Sequence, residues 1–448
     1  MSSAHAKPRY LEGSIWQHIV RMTASSGFGL LALFTVDLVD LFFISLLGEQ
    51  ALAAAVGFAA ALMFFNQSIS IGLSIAMGAV VSRALGAKLN DKAAELVGSG
   101  TLMVFISSLI VTCLFWWFRE PLLIALGASG QTLVYASEYL AIVLLAFPFV
   151  SVGMAMGGVM RARGDAKGAL WLSLWGAIVN AILDPILIFG LDMGLNGAAW
   201  ASSISRMCIF LYGVNKVLRE YQLYTPPSLA IVRRDLSCFC NIAIPSVLTN
   251  LATPVGVAYV TATIAQFGDS AVAGNAIITR LQLVAFVGLY ALSGVVGPIA
   301  GQNWGANNYP RVMSVLNQSL LFVFLYCLVV CALMVLLTPW IITLFQASPD
   351  AAELIRWFTY GLSLMFIFHG FTFVTNALFN NLGAPKTATL FNIAKVTIFT
   401  MPFVWVGAQL GEAPGVLIGQ AVGAVIISFA GWYWCARRIS RLPLMVRD

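Results

Sequence analysis

Three carboxylates stand where carboxylates are expensive to keep: Asp37, Asp40 and Asp184 lie inside long apolar runs. An ionised carboxylate at the centre of a membrane helix costs on the order of 2.5–3.5 kcal/mol even on insertion scales, so acids retained there usually carry or hold charge. Asn180 precedes Asp184 by four residues and shares its face if the segment is helical. Asp40 lies eight residues before Gly48, Asp184 six before Gly190, and Ser202 eight residues into the following run. At 1.5 Å per residue these positions are about 12, 9 and 12 Å from one boundary of the apolar layer. Carboxylate, amide and hydroxyl oxygens thus gather at one depth. Two chemistries suit such a set. Asp40 and Asp184 together in an apolar pocket resist carrying two charges, which favours a shared proton; alternatively, an oxygen cage holds Na⁺. The proton is the preferred reading and sodium stays open. Asp37, one turn before Asp40, faces a neighbouring helix or water.

The elements that position these residues follow from composition. The chain has 448 residues, 60% hydrophobic and only 9% charged, against about 25% charged in an ordinary soluble domain. A soluble enzyme, a disordered chain and a disulfide scaffold are excluded. Mean hydropathy is +0.91, and the apolar runs are too long and too free of alternation for a β-barrel. An all-α integral membrane protein is expected, with twelve transmembrane helices at 22–47, 51–82, 96–118, 134–160, 168–190, 194–218, 238–267, 271–302, 312–338, 352–381, 387–410 and 414–436. Nineteen of the 24 Lys and Arg residues then fall in loops on one side, and only Arg119 and Arg356 on the other. Short basic loops stay cytoplasmic, so both termini are expected there. The net charge of +6 is explained by topology rather than by a nucleic-acid partner. The seven cysteines sit in or beside apolar runs with no CxxC, and there are three histidines; neither a disulfide framework nor a His-based metal site is implied. The N-terminus reads as a short polar arm, not a cleaved signal peptide.

Three loop types recur in register. Ser82-Arg83-Ala84-Leu85-Gly86-Ala87-Lys88 matches Gly301-Gln302-Asn303-Trp304-Gly305-Ala306-Asn307 at an offset of 219; Gly164-Asp165-Ala166-Lys167 matches Gly383-Ala384-Pro385-Lys386 at 219; Gly48-Glu49-Gln50-Ala51 matches Gly268-Asp269-Ser270-Ala271 at 220. Each half has six spans and so inserts the same way up, giving two pseudo-symmetric six-helix bundles of the parallel-repeat type. The expected organisation is an N-terminal lobe 1–218, a cytoplasmic crossover 219–237 carrying Pro226-Pro227 and Arg233-Arg234, and a C-terminal lobe 238–448.

With these elements placed, the chain resembles the multidrug and toxic compound extrusion (MATE) family over nearly its whole length. The resemblance is carried by Asp37-Leu-Val-Asp40 with Gly48, Arg83-Ala-Leu-Gly-Ala87, Arg161-Ala-Arg-Gly-Asp165 and Asn180-Ala-Ile-Leu-Asp184-Pro185. It implies a MATE/MOP-type fold and an antiporter of the bacterial inner membrane that exports amphipathic, mainly cationic drugs by alternating access, coupled to H⁺ or Na⁺. Because the membrane acids lie in the N-terminal half, the DinF-like branch is the nearest match. The family's N-lobe cation site maps onto Asp40, Asn180, Asp184, Ala198 through its carbonyl, and Ser202, with Tyr139 as a hydrogen-bond partner. One departure is that Thr23-Ala-Ser-Ser-Gly-Phe-Gly29 lacks the proline many relatives carry early in the first span, whereas the second half keeps Pro245.

The remaining expectations are coarser. Asp40 aligns with Val260 and Asp184 with about Phe403 in the second half, so one half couples ions and the other supplies cavity wall. Asp40, Met63, Phe64, Phe149 and Met154 are candidates for the cavity, where Met and aromatic groups adapt to varied apolar cations. Arg206 is read as structural, His369 as a buried polar residue or a second proton site, and Lys395 and Arg280 as paired with acids or helix ends, or snorkelling. There is no Walker A motif and no catalytic cluster, so the chain is read as neither an ATP-driven pump nor an enzyme. No cofactor beyond the coupling ion, no nucleic acid and no partner subunit is expected; the partners are small molecules and membrane lipid. The rival reading is a flippase or exporter of lipid-linked oligosaccharides, for which a more basic cavity would be needed.

Overall fold

The computed structural model describes residues 9–45 and 50–445, with the side chains of residues 37, 38, 41, 42, 45, 50, 53 and 443–445 outside the description. Gly48 of the sequence repeat and the side chain of Asp37 therefore lie outside the described residues. The described chain is helical throughout, without a strand. The helices are α1 (Ile15–Ser45), α2 (Gln50–Gly86), α3 (Asn90–Trp117), α4 (Arg119–Ala125), α5 (Gly130–Leu145), α6 (Phe147–Arg163), α7 (Ala166–Pro185), α8 (Gly194–Asn215), α9 (Leu229–Ile264), α10 (Asp269–Ala285), α11 (Val287–Gly305), α12 (Tyr309–Leu344), α13 (Pro349–Trp357), α14 (Phe366–Asn381), α15 (Pro385–Ala394) and α16 (Met401–Met445).

These helices make twelve membrane spans. Eight stretches are long and apolar enough alone, and the bent pairs α5–α6 and α10–α11, each turning by 48°, make two more. The last stretch, Pro385–Leu442, runs 58 residues, far more than the roughly 20 a bilayer needs. It breaks at Gly411 and Glu412, where the backbone leaves the helical region, and so supplies two spans. The twelfth is α8, whose serines, glycines and Arg206 lower its hydropathy.

The repeat is written into the backbone. Lys88 and Asn307 share φ values of 59° and 57°, Gly127 and Gln346 are both left-handed at 99° and 46°, Gly164 and Gly383 at 80° and 74°, and Asp192 and Glu412 at 53° and 50°. The partners are 219, 219, 219 and 220 residues apart. The first three pairs are helix C-caps of one design: Leu89 N–H bonds to the Ala84 carbonyl at 2.9 Å, Asn308 to Asn303 at 2.8 Å, Asp165 to Met160 at 2.9 Å and Ala384 to Phe379 at 2.9 Å. Such 6→1 bonds satisfy carbonyls that the helix end leaves free.

The described residues form two compact units, one of residues 9, 28–45 and 50–247, the other of residues 10–27 and 248–445. In the first, α2 lies along α6 through small residues: a Cβ on Gly158 would meet the Ser74 carbonyl oxygen at 2.7 Å. Ser70 Oγ and Ser151 Oγ are 2.6 Å apart, and Ser74 Oγ donates to the Met154 carbonyl at 2.7 Å. Close backbones and hydroxyl contacts replace the hydrophobic effect as the association force between lipid-immersed helices. Met77, Val80, Met156 and Met160 belong to one core cluster, and Leu140, Val143, Tyr139 and Ala198 to a second. Large apolar side chains face outward, Trp117 at 75% and Trp340 at 78% exposure among them, as lipid contact requires.

Two span starts differ from the sequence expectation. α1 begins at Ile15 rather than near residue 22. Its polar first turns are held by Tyr10, whose carbonyl accepts from Arg311 Nη2 at 2.9 Å and Asn303 Nδ2 at 3.2 Å, while its N–H donates to Gln302 Oε1 at 3.0 Å. α9 begins at Leu229, inside the stretch read as crossover. There Asp235 accepts from Lys92 Nζ at 2.7 Å, Ser99 Oγ at 2.9 Å and Arg234 Nε at 3.0 Å. The crossover itself is docked: Thr225 N–H bonds to the Ala94 carbonyl at 3.1 Å, and Leu223 is buried. Lys92 and Arg311, which hold these two helix starts, are 219 residues apart, another mark of the repeat.

Candidate cation-coupling site

The site is built by α1, α5, α7 and α8. Asn180 and Asp184 are successive residues of one face of α7, and both are buried. Pro185 follows directly and has no N–H to donate; the helix widens there into a π-helical turn over Ile186–Gly190. Such turns alter the direction of side chains and recur at functional positions. α8 closes against that turn because residue 197 is glycine: a Cβ there would meet the Leu187 carbonyl oxygen at 2.7 Å. The close approach brings Ala198 and Ser202, one turn apart and both buried, to the same region.

Across from α7, Asn180 Nδ2 donates to Asp40 Oδ1 at 3.5 Å. Asp184 has zero exposure, and among the described residues neither of its carboxylate oxygens has a partner in hydrogen-bond geometry, although Asp40 and Asn180 are its near neighbours. A buried polar atom left without a partner is expensive. Tyr139 on α5 is buried beside Ser202, with Arg206, Asp40 and Asp184 within electrostatic reach. The structure thus gathers Asp40, Asn180, Asp184, Ser202 and Tyr139. The Asn180 amide nitrogen is the donor to Asp40. Ala198 is buried nearby on α8, but α8 is unbroken there, so its carbonyl keeps one lone pair in the helix ladder and has one to offer.

This donor set is all oxygen. It suits a proton or a hard cation such as Na⁺ rather than a transition metal, and among the described residues no three His, Cys, Asp or Glu side chains cluster. One neighbour was undervalued in the sequence. Arg206, a turn beyond Ser202, lies over Phe147 at 6.0 Å and reaches the Val143 carbonyl at 3.4 Å, which sets a fixed positive charge beside Tyr139. The i, i+4 spacing of Ser202 and Arg206 was the available signal.

The cavity candidates divide. Met154 Sδ accepts from Gln67 Nε2 at 3.4 Å on the α2 side of α6. Met63 is half-buried on α2 and Phe64 is exposed. Phe149 is half-buried, and its ring contacts Phe105 at 6.0 Å and Phe210 at 5.3 Å. Beyond residue 248 the described acids are Asp269 and Asp350 in first turns, Glu353 within the short α13, and Glu412 at the break in α16. Lys395 and Arg280 accordingly make no ion pair among the described residues.

Comparison with known proteins agrees with this architecture. A MatE family model matches residues 26–186 and again 245–406, two segments whose starts and ends are offset as the repeat requires. A Shewanella oneidensis protein named FAD transporter is 25% identical over 433 residues, 95% of this chain and 96% of that one. The multidrug export protein MepA of Staphylococcus haemolyticus is 25% identical over 94% of this chain and 93% of its own. Among solved structures, the Vibrio cholerae MATE transporter VcmN superposes with a TM-score of 0.90 at 26% identity, covering 95% of this chain and 97% of its own. A MOP superfamily transporter from Pyrococcus furiosus does so at 0.91 with 21% identity and 99% coverage of both, a likeness of fold.

Proposed function

The chain belongs to the MatE family and is a multi-pass membrane transporter, and from that premise we propose that it is an antiporter exporting amphipathic, mainly cationic small molecules in exchange for H⁺ or Na⁺. Asp40 and Asp184 carry the coupling ion, with Asn180, Ser202, Tyr139 and the Ala198 carbonyl arranged around them. Both termini face the cytoplasm of a bacterial inner membrane, as the basic loops favour. The observation that carries the reading is Asp184: a wholly buried carboxylate, without a hydrogen-bond partner at either oxygen among the described residues, beside an amide that bonds Asp40. A group in that state gains from binding a proton or a cation, and charge release on opening to one face would drive the exchange.

The proton is the preferred coupling ion, because two carboxylates without a full ligand shell hold one charge more readily than two. The test is export of tetraphenylphosphonium from proteoliposomes with H⁺ and Na⁺ gradients imposed separately. Exchange driven by the proton gradient alone supports the reading; exchange driven by sodium alone keeps the site and changes the ion; exchange driven by neither overturns the antiport. A second cargo class is favoured by the similarity to the Shewanella oneidensis FAD transporter, so FAD belongs in the same assay.

A further inference from the structure

The repeat that sets Asp40 and Asp184 on the first and fifth spans has its counterparts of those spans in α9 and the first half of α16. Deep in the membrane these two meet. A Cβ on Gly256 would touch Val396 Cγ2, in the π-helical turn that leads into α16, at 3.4 Å. The Tyr259 hydroxyl donates to the Met401 carbonyl at 3.3 Å. Farther along, toward Phe267 and Gly411, Ala262 and Ala408 are too small to fill the space, and a cavity of about 200 Å³ opens between the helices. Tyr259, Trp405, Gln266 and Gln409 form its walls, with Thr263. Residues 259, 262, 263 and 266 recur at helical spacing, as do 405, 408 and 409, so each helix contributes one face.

The cavity occupies the place of the coupling site in the other half. Tyr259 follows Asp40 by 219 residues and Trp405 follows Asp184 by 221, against 219–220 for the paired left-handed caps. Tyr259 is eight residues before Phe267 and Trp405 six before Gly411. At 1.5 Å per residue they lie about 12 and 9 Å from the outer ends of their spans, the depths of Asp40 and Asp184. The chemistry differs. Among the described residues that line the cavity none is charged, and two aromatic side chains stand where the first half has carboxylates. Gln266 and Gln409 are exposed at the rim. Thr263 Oγ1 donates to the Tyr259 carbonyl at 2.9 Å and so keeps acceptor capacity. From 236 to 279 the single charged residue of the chain is Asp269, and from 396 to 436 it is Glu412. Both are exposed, and each follows a rim glutamine by three residues. The two segments that build the cavity thus carry acid and no base.

A drug-sized site measures roughly 300–1,000 Å³, so this one takes a single group of a molecule. Aromatic rings attract cations, and a quaternary ammonium is the cation they suit best. A primary ammonium holds its water more tightly and meets no carboxylate among the lining residues. We propose that this cavity binds the quaternary ammonium group of a transported amphiphile: a second cation site, at the repeat counterpart of the first, with aromatic rings in place of carboxylates. The inference rests on the export reading only in treating the bound cation as cargo.

The test is equilibrium binding of benzyltrimethylammonium to the purified full-length protein in nanodiscs of phosphatidylethanolamine and phosphatidylglycerol, with empty nanodiscs as the blank. No ion gradient is involved, so a failure here and a failure of export are told apart. Trp405 is 59% exposed, and Trp405→Leu should leave the core intact while weakening binding by about fivefold. Trp405→Phe, which keeps an aromatic ring, should restore most of the affinity. Ala262→Leu fills the cavity from an exposed position and should abolish binding with both rings in place. Benzylamine should bind the native protein more weakly than benzyltrimethylammonium. Asp184→Asn should retain the binding that Trp405→Leu weakens. Unchanged melting temperatures check that the variants are folded. Native protein that binds no more than the blank overturns the proposal, as do Trp405→Leu and Ala262→Leu variants that bind as the native does. Loss of all binding in Asp184→Asn would put the cation in the coupling site and overturn it equally. A lipid headgroup is the other source of quaternary ammonium. If exchanging phosphatidylethanolamine for phosphatidylcholine suppresses binding, the cavity holds that headgroup and the cargo assignment fails.

Discussion

Asn180 reaches across from α7 to the carboxylate of Asp40 on α1, 140 residues earlier, at 3.5 Å, while Asp184, one turn further along α7, has two buried oxygens without a partner among the described residues. One amide therefore holds the first acid and leaves the second for an ion. The contact is at the long end of the hydrogen-bond range, so it orients Asp40 without saturating it. Asn180→Ala should keep the fold and weaken coupling. Proteoliposome exchange at a fixed gradient should fall several-fold while the melting temperature in detergent moves little; unchanged exchange would show that the amide is packing.

Gly197 is the residue that lets α8 approach the π-helical turn after Pro185, and a methyl group there would meet backbone atoms of Leu187 and Ile188 at 2.7–2.9 Å. Backbone cannot step aside as a side-chain tip can. Gly197→Ala should displace Ala198 and Ser202 from Asp184 and destabilise the protein by about 1–3 kcal/mol. Thermal unfolding and exchange should fall together, whereas Gly57→Ala, where a Cβ meets nothing within 4 Å, should change neither.

Asp235 ties the start of α9 to α3 through Lys92, Ser99 and Arg234. Asp235→Ala would leave those donors without their acceptor, and a loss of about 2 kcal/mol is expected. Lys92→Met should cost less, because the carboxylate keeps two of its three partners. Denaturation of both variants in the same detergent gives the ranking.

Asp165 caps α7 by accepting from Gly168 N–H at 2.9 Å, receives the Tyr221 hydroxyl and lies 3.8 Å from Lys216. Burial opposes its ionisation, but the Tyr221 and Gly168 bonds and the Lys216 charge outweigh burial and hold the carboxyl below its ordinary 3.8. A depressed value in the folded state means stability that is present above the ordinary value and is lost as pH falls through the folded one. Asp165→Asn should therefore be less stable than the native protein at neutral pH by roughly 1 kcal/mol, with the gap closing only below about pH 3.8. A gap that persists unchanged into acid would assign the loss to packing.

Much of this arrangement was readable from the chain. The apolar runs gave the spans because a bilayer demands length and composition together. The repeat showed in the loops because Lys88, Gly164 and their partners at 307 and 383 occupy left-handed caps, where few residue types are comfortable. Asp40, Asn180, Asp184 and Ser202 could be grouped by depth because helical rise is constant. What stayed hidden depended on tertiary contacts. The polar first turns of α1 and α9 look like loop until Arg311 and Lys92 are seen to hold them. The role of Gly197 needs the turn that Pro185 opens.

The claim at the centre of this account is that Asp40 and Asp184 bind one coupling ion between them. The direct measurement is gradient-driven exchange of tetraphenylphosphonium by native protein, Asp40→Asn and Asp184→Asn in proteoliposomes, beside binding of the same cation in detergent. The account predicts that both variants stay folded and lose exchange by about 100-fold or more, as removal of an ion-carrying group in apolar surroundings should, and that the double variant is no worse than either single one, since the two act as a unit. Native-like exchange by a folded Asp40→Asn or Asp184→Asn variant would contradict it.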